Sequence, residues 1–207
     1  MDTPRSLAFA DPLNLEAKFL VATPAMDDPR FRQSVVFVCA HDNDGTMGIV
    51  VNKPVRAQLG GTITLGDVLQ SAGVEGDIDA GIIHKPVLAG GPVEDYRGFV
   101  LHSGDYQTPE GTLPVSETLM LTSTKDVLRA LATDAAPAQA VLAIGYAGWG
   151  GGQVEEEIAA NAWIVCEPSD VDALEHLVFG TDLAAKWAEA LGEIGIDPAR
   201  LAPGGQA

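Results

Sequence analysis

Positive charge is scarce in this chain: 12 Lys and Arg stand against 29 Asp and Glu, a formal net charge of −17. Such a surface repels phosphate, which argues against nucleic-acid binding unless the few cations cluster, and Arg30 with Arg32 is the densest pair. An anionic membrane surface is disfavoured for the same reason. Cysteine is scarcer still. Cys39 and Cys166 each lie inside an apolar run and no Cys-x-x-Cys occurs, which excludes a disulfide scaffold and reads as two buried thiols in a reducing compartment. The four histidines, His41, His84, His102 and His176, show no ligand spacing, so neither a metal nor another cofactor is expected. No run approaches the roughly 18 apolar residues of a membrane span. The segment Met1 to Pro12 has one cation and no long apolar core, unlike a secretory signal. A cytoplasmic protein is the expectation. His-Glu-x-x-His, a P-loop and a kinase set are missing, and His102-Ser103 sits in no Gly-x-Ser-x-Gly elbow.

What is present is an ordinary globular composition, 46% hydrophobic and 20% charged over 207 residues, with no internal repeat and no dividing linker. Phe19 to Ala22, Val35 to Cys39 and Thr46 to Val51 read as buried strands. His41-Asp42-Asn43-Asp44-Gly45 has turn chemistry, which predicts a β-hairpin over 33–51 with a five-residue loop. Gly98 to His102, Thr118 to Leu121, Ala138 to Ile144 and Trp163 to Cys166 are further strands, and 73–86 reads as loop. Helix starts are marked by Thr64-x-x-Asp67, Ser123-x-x-Asp126 and Ser169-x-x-Asp172. Helices are expected from Gln153 to Asn161 and from Leu183 to Ile194, the latter with Leu183, Trp187 and Leu191 on one face, and Gly180 as a C-terminal glycine. Strands crowd the first half and helices the second, which predicts α+β. A flexible arm over 1–14, one domain over 15–200 and a tail over 201–207 complete the division.

The most unusual segment is Gly145-Tyr146-Ala147-Gly148-Trp149-Gly150-Gly151-Gly152, with five glycines in eight residues between a strand and a helix. Phosphate loops occupy such places, but no Lys-Ser/Thr follows and Gln153 breaks the dinucleotide spacing. Close backbone packing is the plainer account. With Gly152 as N-cap, Glu155 falls at N3 and can reach back to the cap N–H. His41, beside Asp42 and Asp44, is either a ligand or base or a turn-edge histidine bonded to backbone; the loop fails the calcium pattern. Asn52, before Lys53-Pro54, reads as a strand-end turn former. Trp163 opens an apolar strand and belongs to the core, whereas Trp149 has only glycines beside it and is expected to be presented at the surface.

Three ordered blocks carry a family resemblance: Phe19 to Pro24 with Asp28-Pro29-Arg30-Phe31, Ser34-Val35-Val36, Met47 to Val50 and Asn52-Lys53-Pro54; Gly90-Gly91-Pro92-Val93 leading to Leu101-His102; and Leu142 to Trp149 with Gln153, Glu155 and Trp163. Over roughly Leu15 to Ile196 the chain resembles the YqgE/AlgH family of bacterial proteins. It departs at Gln33, where members often carry a basic residue, at Ala40, where an acidic one is common, and at Gly151, where the pattern has proline. The resemblance implies one α+β domain whose bifurcated, mostly antiparallel sheet folds into a pseudo-barrel with helices outside. It implies no agreed catalytic activity, and one branch, named for control of alginate production, is labelled a transcriptional regulator.

The expected function is therefore non-enzymatic, regulatory or interaction-type, with a protein or small-molecule partner of unknown identity. The alternative is a small-ligand binder or cryptic enzyme whose site joins the hairpin edge to the glycine run. Direct DNA reading lacks a helix-turn-helix signal and the charge to support it. The candidate ligand- or partner-binding residues are His41, Asn52, Gly90, Gly91, Pro92, His102, Trp149, Gln153 and Glu156.

Overall fold

Apolar runs become strands wherever both of their faces find cover. In the computed structural model, which describes residues 13–74, 80–108, 111–123 and 125–201, β1 (Phe19–Ala22), β2 (Val35–His41) and β3 (Gly45–Val50) form from the three runs near the N-terminus. Phe19, Val21, Val35, Phe37 and Cys39 enter one cluster, while Leu20, Ala22, Val36 and Val38 enter another on the opposite face. Two buried faces explain why these strands read as continuous rather than alternating hydrophobicity. The hairpin loop is tighter than expected. His41 already pairs with Thr46, leaving Asp42 to Asp44 as the turn, and Asp42 Oδ1 accepts from the N–H groups of Asp44 (2.8 Å) and Gly45 (3.1 Å).

The remaining strands are β4 (Leu88–Ala89), β5 (Val93–Ser103), β6 (Thr112–Pro114), β7 (Leu119–Thr122), β8 (Ala140–Gly150) and β9 (Trp163–Cys166). The sheet runs β6-β7-β5-β8-β3-β2-β1-β9 with antiparallel neighbours, and β4 alone lies parallel to β8. It curls into a half-barrel within a single α+β domain, as the resemblance implied. The central β8 is longer than its sequence suggests: the expected strand Ala138 to Ile144 continues through the glycine run to Gly150, so that run is mostly strand, not loop. It pairs with β5 along one edge and with Gly45 to Gly48 of β3 along the other.

Among the described residues the α-helices are α1 (Leu65–Ser71), α2 (Ala80–Ile83), α3 (Lys125–Ala130), α4 (Gln153–Ala159), α5 (Val171–Phe179) and α6 (Lys186–Glu193). The Thr64/Asp67 capping box forms in both directions. The cap of α5 is Asp170, one residue later than expected; it accepts from Ala173 N–H at 2.8 Å, and Ser169 instead donates to Glu193. Ser123 accepts from Arg97, and the position before α3, 124, lies outside the described residues. Helix α2 falls inside the expected loop over 73–86, of which 75–79 lie outside the described residues. Gly180 does end α5, with extended rather than left-handed backbone. Helix α6 begins at Lys186, three residues after the expected Leu183. The expected arm over 1–14 and tail over 201–207 fall almost wholly outside the described residues.

Both cysteines are fully buried free thiols, on β2 and β9. Burial pushes both pKa values up, that of Cys166 to about 11. Neither thiol is expected to react with an aromatic disulfide reagent in the native protein at pH 8. Both should react once denaturant unfolds it, and rapid stoichiometric labelling of the native chain would contradict the burial.

Candidate functional site

The geometry begins with a crossing of two backbones. Gly90 N–H donates to Ile144 O (2.8 Å) and Gly90 O accepts from Val50 N–H (2.9 Å). A Cβ on Gly91 would overlap the Tyr146 carbonyl, and a Cβ on Gly145, whose φ is +72°, would overlap Gly91 O. Gly90, Gly91 and Gly145 are therefore required by close approach, which is the packing account of the glycine run. The consequence is positional: the chain leaving this crossing places Pro92 beside Gly148 and Trp149 of β8.

There the three sequence blocks meet. Arg30 and Phe31 from the turn after β1, Pro92 from the crossing, and Trp149, Gln153 and Glu157 from β8 and α4 line one cleft of about 380 Å³. That volume lies within the range of small-ligand sites. The turn is self-organised: Asp28 Oδ1 accepts from Arg30 N–H (2.9 Å), and its carboxylate grips the Arg30 guanidinium with contacts of 2.6 to 3.0 Å. The hydrogen-bonded Arg30 holds the Asp28 carboxyl below its ordinary pKa. Lys53 Nζ donates to Arg30 O at 2.7 Å and ties the turn to the end of β3; burial lowers its pKa.

The floor of the cleft corrects the expectation for Trp149. Its exposure is 7%, against 2% for Trp163, so both indoles are buried. The side chains that glycine neighbours cannot supply come from elsewhere. Phe31 stacks on Trp149 with centroids 6.3 Å apart, and Trp163 meets it edge-on at 5.9 Å. Both indole N–H groups donate to one oxygen, Glu157 Oε2, at 3.0 Å from Trp149 and 2.7 Å from Trp163. Gln153 Nε2 donates to Glu157 Oε1 at 2.9 Å, and Gln153 Oε1 accepts from Gly150 N–H. Glu157 takes the place expected of Glu156, which is exposed and does not line the cleft. The signal was present in the spacing: Gln153 and Glu157 are i, i+4 on one helical face, and Glu156 is turned about 100° away.

The other candidates do not join this cleft. Asn52 is a clamp: its Oδ1 accepts from Val35 N–H (2.9 Å) and its Nδ2 donates to Gln33 O (2.8 Å), holding Gln33 at φ +52°. His102 is fully buried, bonded to Ser103 O and to Thr122 Oγ1, both at 2.8 Å, and burial lowers its pKa. It is a satisfied core histidine at the head of a hydroxyl chain through Thr122 and Thr112. His41 Nδ1 lies 2.8 Å from Thr46 Oγ1 and its Nε2 3.5 Å from Glu155 Oε1. Glu155 thus turns toward the hairpin rather than back to its own cap; Gly152 has no side-chain cap bond. Hydroxyl, imidazole and carboxylate in line resemble a relay, but Thr46 is only 6% exposed. The arrangement acts as a lock between hairpin and α4. Among the described residues no three His, Cys, Asp or Glu side chains group to hold a metal ion, and no helix is long and apolar enough to cross a membrane.

Comparison with known proteins bears on the family and the fold. The AlgH-like family matches residues 19–199. A UPF0301 protein of Rhodopseudomonas palustris (strain BisB18) is 45% identical over 194 residues, covering 90% of this chain and 85% of its own. A UPF0301 protein of Caulobacter vibrioides is 44% identical over 183 residues, covering 88% of each. Among solved structures, the AlgH protein from Pseudomonas aeruginosa superposes with a TM-score of 0.70 at 33% identity, covering 97% of this chain and 100% of that one. A Corynebacterium diphtheriae protein shares the fold at a TM-score of 0.65 and 14% identity, over 95% and 96% of the two chains. With nearly its whole length matched by that family and by that fold, the chain belongs to the AlgH-like family.

Proposed function

We propose that this is a cytoplasmic regulatory protein that acts by binding, not by catalysis, and that a ligand or partner group occupies the cleft between Arg30, Pro92 and Glu157. The observation that carries this reading is the convergence of segments from three distant parts of the chain on that one cleft. Its polar groups are already held: Asp28 by Arg30, and Glu157 by Trp149, Trp163 and Gln153. Groups fixed in this way recognise a shape and a charge pattern at little ordering cost, which is what binding asks of a site. A nucleophile activated by a base would need a reactive atom free to move and open to substrate, and the nearest hydroxyl–imidazole pair, Thr46 with His41, keeps its hydroxyl buried.

Ala160 gives a clean test, because it is exposed and lines the cleft at the C-terminal end of α4. Ala160→Trp should fill the cleft and leave the core intact. A thermal-shift screen against amines, carboxylates, nucleotides and amino acids is expected to find a stabilising ligand whose effect this variant abolishes and which mass spectrometry recovers unchanged. Stabilisation that survives Ala160→Trp places binding elsewhere, and a ligand recovered chemically altered makes the protein an enzyme.

A further inference from the structure

Charge within the cleft narrows what can enter it. Four ionic groups line it: Asp27, Asp28, Arg30 and Glu157. Asp28 and Arg30 cancel through their bidentate contact. Glu157 is held only by neutral N–H donors, and among the described residues neither it nor Asp27 makes an ion pair. Lys53, bonded to Arg30 O, adds its charge on the Asp28 side of the turn, which leaves Glu157 and Asp27 as the lining carboxylates without an ion pair among the described residues. A carboxylate fixed by two indoles and an amide has spent its solvation on neutral dipoles and keeps its full charge for a ligand. Among the described residues Oε1 accepts from Gln153 alone and retains a lone pair.

The walls have the complementary chemistry. Phe31 and Trp149 are aromatic, Pro92 and Met26 apolar. One cation already lies against this wall: the Arg30 guanidinium, held by Asp28, is 5.9 Å from the centroid of the Phe31 ring. Resting on the reading that this cleft is the binding site, we infer that its ligand is an alkyl-guanidinium or alkyl-ammonium group, with the charge against Glu157 and Asp27 and the alkyl stem on the aromatic and proline wall. Free amines and a partner protein's arginine share that chemistry.

Isothermal titration of the full chain with agmatine and with an acetyl-arginine-amide peptide separates the two sources. Agmatine is expected to bind, more weakly as salt is raised, and a peptide that binds more tightly identifies a protein side chain as the natural group. Glu157→Gln should weaken binding about tenfold. Because that change also disturbs the indole contacts, Asp27→Asn at the exposed rim is the companion, with a loss of roughly threefold to tenfold. The inference is overturned if the uncharged urea analogue of agmatine binds as tightly, if both variants leave the affinity unchanged, or if neither probe binds at about 10 mM. A carboxylate or phosphate ligand that Ala160→Trp displaces would leave the cleft standing as the site and overturn the cation alone. Displacement of nothing at all by Ala160→Trp would overturn both.

Discussion

Trp149→Ala is expected to destabilise the protein by about 3–5 kcal/mol, in the same range as Trp163→Ala. Each indole is a wall of the cluster that also holds Phe31, Val36, Val38 and Val154. Removing either empties a space that the sheet and α4 cannot collapse into, and deprives Glu157 Oε2 of one of its two indole donors. The double variant should cost less than the sum of the singles, since the rings touch and share one acceptor. Trp149→Phe keeps one aromatic ring in the cluster and loses the second ring with its N–H, for a smaller loss of about 2 kcal/mol. Denaturant melts of the four variants decide this: a cost for Trp149→Ala below about 1.5 kcal/mol, with Trp163→Ala in the full range, would return Trp149 to the surface.

Nothing within a few residues of Trp149 marks it as buried. Its neighbours Gly148 and Gly150 offer nothing to pack against, and local sequence shows only neighbours. Its real partners are 118 positions upstream, at Phe31, and on the far strand β9, at Trp163. Close approach accounts for part of the run: a Cβ would meet Gly91 O at Gly145 and Asn43 O at Gly151, whereas at Gly150 and Gly152 it would meet nothing within 4 Å. What repeats locally was legible: the apolar runs of β1, β2 and β9, the Asx chemistry of the hairpin loop, the Thr64/Asp67 box, and the i, i+4 face of α6. What depends on distant partners was not. Three adjacent glutamates look alike in sequence, and only the two indoles of the folded chain select Glu157 over Glu156. Asp28 and Arg30 were visible as part of the family pattern but not as cleft residues, since only the turn of β1 into β2 carries them across to Pro92. Asn52 and His102 were visible as unusual residues, and their bonds turn out to be spent inside the fold.

Lys186 gave no sequence signal at all, and the second large effect is expected there. Lysine opening an amphipathic helix reads as solvated surface, yet this one is 1% exposed. Its Nζ donates to Val51 O (3.0 Å) at the end of β3 and to Val178 O (2.9 Å) in the last turn of α5, so one side chain joins three elements. Burial pushes its pKa down to about 7; Glu189, one turn on, opposes the shift and Lys85 adds to it. The unfolded chain keeps the ordinary lysine value near 10.4, so between pH 7 and pH 10 it binds the proton that the folded chain has released. Stability therefore rises with pH across that window, is complete above it, and is lost as pH falls toward 7. Lys186→Met removes the titrating group while filling most of the space. The difference in unfolding free energy between the native protein and this variant should then climb by up to about 1.4 kcal/mol per pH unit from pH 7.5 to 9.5. Groups common to both chains cancel in that difference, so the slope belongs to Lys186 alone. Near pH 7, where the native protein carries most of the burial penalty, the variant is expected to be the more stable or equal, although it leaves two carbonyls without their donor. Urea melts of both proteins at half-unit pH intervals measure it. A flat difference across the window would mean that Lys186 stays charged in the core, with Val51 O and Val178 O sufficient to keep it so.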